Sequence, residues 1–118
     1  MYIITSLNNL DMTEVTSKSE LKAALERGET EFHTTNRNLL YGSALVAKFK
    51  KKASSLSSFE RMLQDLKTKN KNLSVEIGAI IVITPMVLVT AVALYAIFKD
   101  YDVEADIPNG TFKAKKHR

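Results

Sequence analysis

Few residues in this sequence could do chemistry, and their spacing does not gather them. His33 sits in TEFHTT with no second histidine near it, and the other histidine is His117. A metal centre needs several convergent ligands, and a lone imidazole is usually a structural side chain. Asp102, Glu104 and Asp106 alternate, as residues on one face of a strand do. Such a row could hold a cation weakly, and a solvated strand edge accounts for it more simply. No serine stands in a triad-like spacing, and the four glycines form no phosphate-cradling loop. The chain has no cysteine, so thiolate chemistry, disulfides and cysteine-based metal sites are excluded. The sequence argues against an enzyme and implies no cofactor.

Charge is the second signal. The chain of 118 residues carries a net +4, unevenly spread. Residues 1–47 are net −2, residues 48–76 net +5, residues 77–98 uncharged and residues 99–118 net +1. The basic block therefore lies directly before an apolar run. Lys48, Lys50, Lys51, Lys52, Lys67, Lys69 and Lys71 are placed to meet anionic lipid headgroups, or simply to solvate helix faces. Nucleic acid is a poorer partner, because no aromatic–basic reading motif accompanies the lysines. The N-terminus lacks the basic start and the apolar length of a cleavable signal peptide.

Several elements must carry these residues. MYIITS reads as a short strand, LNNLDM as a turn and TEVTS as a second extended piece. Ser17 and Glu20 have capping-box spacing, Leu21, Ala24 and Leu25 share a helix face, and Gly28 is a left-handed stop; together they predict a helix near 18–27. TEFHTT at 30–35 should be a strand, which makes a small βαβ-like unit with a right-handed crossover. Asn36 can cap a second helix that ends among the lysines, where the helix dipole favours cations. ASSLSS is a linker or turn, and Ser57 with Glu60 repeats the capping-box spacing. Phe59, Leu63, Leu66, Asn70 and Leu73 then follow alternating steps of four and three. That seam either joins copies of the chain or packs the helix on its own domain. At the C-terminal end, YDVEAD and TFKAKK flank IPNG and predict a hairpin with acids facing bases. A lone hairpin is marginal in water and needs a surface to rest on.

The stretch IGAIIVITPMVLVTAVALYAIF, residues 77–98, decides the fold. As one helix it would rise about 33 Å, enough for a hydrocarbon layer of about 30 Å. In that parse Ile77 and Gly78 open the span, Pro85 kinks it, Val89 lies at its middle and Phe98 at its end, with Tyr95 and Tyr101 as interfacial aromatics. Flanking lysines put the N-terminal part in the cytoplasm and the tail outside. In the rival parse, AIIVIT is a buried strand, Thr84 a cap and Pro85 the first residue of a helix of about 14 residues. Burial favours the span, because covering so apolar a helix needs a large core.

The expected fold is thus α+β: an N-terminal βαβ-like unit over 1–53, an amphipathic basic helix or linker over 54–76, a transmembrane helix over 77–98 and a hairpin tail over 99–118. The expected function is that of a single-pass, membrane-anchored protein whose cytoplasmic portion binds another protein. A variant is a holin-like, membrane-permeabilising protein whose copies associate through Gly78 and the alanine-rich face. The alternative is a soluble α+β interaction module in the cytoplasm, oligomeric through the 56–73 seam.

Overall fold

The computed structural model describes residues 12–69, 72–74 and 80–116. In chain order its elements are β1 (Thr13–Glu14), α1 (Lys18–Glu26), β2 (Glu31–His33), α2 (Arg37–Phe49), a 3-10 turn (Lys50–Lys52), α3 (Leu56–Lys69), β3 (Asn72–Ser74), β4 (Ile80–Val82), α4 (Pro85–Ile97), β5 (Tyr101–Asp106) and β6 (Thr111–Lys116). The strand expected at MYIITS lies outside the described residues.

Local chemistry sets most boundaries. Ser17 Oγ accepts from the Glu20 amide at 3.1 Å and opens α1. The Glu20 carboxylate reaches one residue further back than a capping box requires, taking the Thr16 amide at 2.7 Å and the Thr16 hydroxyl at 2.8 Å. Gly28, at φ 88°, ends the helix; its amide bonds the Leu25 carbonyl and that of Glu29 bonds Ala24, a Schellman closure. Asn36 caps α2 through the Leu39 amide and also donates to the Thr16 carbonyl, tying α2 to the start of α1. At α3 the cap is Ser55, which accepts from the Ser58 amide at 3.2 Å, rather than Ser57.

Both ends of the described chain build one sheet, in the order β1-β2-β6-β5. β1 runs parallel to β2 with α1 between them, and β6 runs antiparallel to both β2 and β5. The β5–β6 hairpin therefore rests on β2, where Phe32 meets Phe112. Its turn closes at Gly110, φ 68°, with the Asp106 carboxylate accepting from the Asn109 side chain at 2.7 Å. Helix α2 lies across β5 and β6, α4 packs against α2, and Phe32, Phe98 and Phe112 form the aromatic floor, with ring centroids 5.2 and 6.3 Å apart. Each of these rings is fully buried, a burial that stabilises by about 1.5–3 kcal/mol per ring. Gly42 lets α2 and α4 come close: a Cβ there would lie 2.9 Å from Leu94 Cδ1 and 3.2 Å from the Ala91 backbone nitrogen.

The transmembrane expectation is overturned here. Among the described residues no helix is long and apolar enough to cross a membrane. The 77–98 run is broken into a strand and a helix. Ile80–Val82 pairs antiparallel with Asn72–Ser74, with Asn72 opposite Val82 and Ser74 opposite Ile80. Thr84 is extended at φ −86° and ψ 165°, and its hydroxyl accepts from the Val87 amide at 3.1 Å. Pro85 then starts a helix of 13 residues, where its missing amide costs no hydrogen bond. Such a helix is about 20 Å long, short of the hydrocarbon thickness. The β-branched residues Ile80–Ile83 suit a strand, and the proline fits only where a helix begins. The holin-like variant falls with the span.

Candidate protein-docking surface

Helix α4 carries no charge on any side. Val87, Leu88, Thr90, Ala91 and Leu94 are buried within the fold. The opposite side is open: Met86 is 61% exposed and Val89, one turn on, 56% exposed. Ala96 continues this exposed side, and Ala93 is half-buried beside it. Next to these protruding side chains lies a hollow of about 340 Å³, walled by Gln64, Lys67 and Thr68 of α3 and by Pro85, Leu88 and Val89 of α4. A protrusion and a recess therefore share one face.

The structure disperses the residues expected to span a membrane. Ile77 and Gly78 lie outside the described residues. Pro85 opens α4, Val89 is exposed on its side, and Phe98 is fully buried in the core. Of the residues assigned to lipid headgroups, Lys48, Lys51, Lys52 and Lys67 are exposed, and the Lys48 and Lys52 ammonium groups stand 6.0 and 5.7 Å from the Phe49 ring. Lys50 is turned inward instead, donating to the carbonyls of Phe98 and Tyr101 just beyond α4. Burial holds its ammonium below the ordinary lysine value, while Asp102 and Asp100 pull it back up. Lys71 and the side chain of Lys69 lie outside what is described.

The α3 seam turns into the chain's own core. Phe59 and Leu63 are fully buried, Leu66 packs half-buried against them, and the Phe59 ring sits 4.6 Å from that of Tyr95 on α4. Packing on its own domain is thus what the described part of the seam does. Asn70 lies outside the described residues; Leu73 falls in β3, and its side chain is not among those described.

The charged face of the sheet is assembled as the hairpin reading anticipates. Asp102 stands opposite Lys115, Glu104 opposite Lys113 and Asp106 opposite Thr111. Lys113 is also opposite Glu31, and Thr111 opposite His33. This row mixes signs, and among the described residues no group of three or more His, Asp or Glu is placed to hold a metal ion.

No protein-family model, no curated protein and no solved structure matches this chain. The open face of α4 was within reach of sequence reasoning: a helix apolar all round presents apolar side chains wherever the fold leaves it uncovered, and the same lack of charge that reads as lipid exposure reads equally as an exposed apolar patch.

Proposed function

We propose that the protein is a non-catalytic α+β interaction module that docks through the open face of α4, and that a second copy of the chain is what covers it. The observation that carries this is the exposure of Met86 and Val89, one turn apart on a helix without a charge. A two-fold interface must be self-complementary, presenting the same patch from both sides. A protruding Met86–Val89 pair beside a hollow between α3 and α4 meets that requirement, because each copy offers the other both a knob and a recess. Methionine suits such a contact, since its flexible thioether fills irregular gaps.

Light scattering across a concentration series tests the reading. The full chain should show twice the monomer mass at high concentration, and Val89→Asp should return it to the monomer with an unchanged circular dichroism spectrum. A chain that stays monomeric up to about 1 mM, the weak end of measurable association, would overturn it.

A further inference from the structure

The open edge of the sheet supports a second binding surface, independent of α4. Strand β5 is six residues long and ends the order β1-β2-β6-β5, so among the described residues no strand pairs with its outer edge. An outer edge presents unpaired backbone donors and acceptors to any extended chain. Helix α2 packs across β5, and a groove of about 510 Å³ runs along their junction. Its lining includes Ala44, Ala47 and Lys48 from α2 and Val103, Ala105 and Ile107 from the strand side. The small side chains of Ala44, Ala47 and Ala105 leave room where larger residues would fill the gap.

We propose that this groove binds an extended peptide segment, which adds to β5 as a further strand and alternates small apolar with basic side chains. Successive side chains of an added strand point to opposite faces. One set would drop toward the groove, where Ala44, Ala47 and Val103 offer apolar contact beside charges of both signs, Lys48 and Lys113 with Glu104 and Asp106. The other set would lie on the far face of the sheet beside exposed Glu104. The protein already uses this pairing, since Lys113 of β6 stands opposite Glu104. Glu104, already set against Lys113, thus favours a basic side chain at the peptide position beside it. It also disfavours a second β5 as the occupant, because two such strands would bring their acidic rows together.

The test uses the full chain carrying Val89→Asp, so that failure of the α4 reading does not affect it. The probe is an acetylated, amidated peptide of alternating valine and lysine, followed by amide chemical shifts. Saturable shifts are expected in residues 101–107 and 44–48. N-methylation of every second residue on the edge-facing side should weaken binding about tenfold, since backbone pairing supplies the affinity in strand addition. A block peptide with the same valines and lysines should bind about tenfold more weakly, as alternation sets the side-chain pockets. Glu104→Lys should shift preference to a valine–glutamate peptide, and Glu104→Gln should weaken the lysine peptide without that reversal. Equal binding of the alternating and block peptides, shifts centred away from β5, or no saturable shift would each overturn the proposal.

Discussion

Lys50 reaches from the turn after α2 to the carbonyl of Tyr101, where its Nζ donates across 2.6 Å, and it donates as well to Phe98 at the end of α4. Phe98 caps α4, and its carbonyl takes the Tyr101 amide at 2.9 Å as well as this lysine, as the carbonyls at a helix end accept donors from outside the helix. One side chain thereby fastens α2 to the start of β5.

This fastening predicts a cost on removal. Lys50→Met keeps most of the apolar stem but removes the donor, so the Tyr101 carbonyl loses this bond while the Phe98 carbonyl keeps the Tyr101 amide. The charged lysine also carries a desolvation cost: its folded pKa lies below the ordinary 10.5, so that cost is present at neutral pH and fades as pH rises toward that value. The two effects oppose, and a net loss of about 1 kcal/mol is expected in urea denaturation. Lys51→Met, at an exposed neighbour, should stay within about 0.5 kcal/mol. Equal effects at the two positions would deny Lys50 its capping role.

Thr84 separates the two parses of the apolar run. As the N-cap of α4, its replacement by alanine should destabilise the protein by about 1 kcal/mol. In one continuous helix the same substitution would be neutral or stabilising, because alanine has the higher helix propensity. Thermal or chemical denaturation of Thr84→Ala reads the sign directly.

Glu20 sets a pH dependence. The Thr16 backbone amide, and then its hydroxyl, hold the Glu20 carboxyl below its ordinary value of 4.5. The folded chain therefore binds that proton less tightly than the unfolded chain. The stabilisation is complete above the unfolded value and is lost as pH falls through the lowered folded one. Glu20→Gln should lower the melting temperature at neutral pH, and the gap to the parent chain should narrow on acidification to about pH 3. A gap independent of pH would show that the bonds do not depend on the ionised carboxylate.

What the sequence revealed was mainly what neighbours along the chain decide. Ser17, Gly28 and Asn36 act within one helical turn, so their roles follow from residue type and spacing. The acid–base match of β5 with β6 was legible for the same reason, since the IPNG turn brings the arms together. ASSLSS misled by two residues because each of its serines is a competent cap, and only the packing of Phe59 and Leu63 selects Ser55. The apolar run was misjudged at Thr84. Composition and length describe a span, while one extended residue before a proline converts it into strand and helix. Lys50 was assigned to lipid because nothing local shows that its partners come from the other side of the apolar run.

The pairing of β2 with β6 joins segments about 80 residues apart, with Glu31 set against Lys113, and contacts of such separation slow folding. During synthesis, Phe32 must wait without its stacking partner until Phe112 has left the ribosome. Over that interval the chain lacks the strand that pairs with β2. Its yield in cells should therefore respond to translation speed and to chaperone supply more strongly than its final stability alone would indicate.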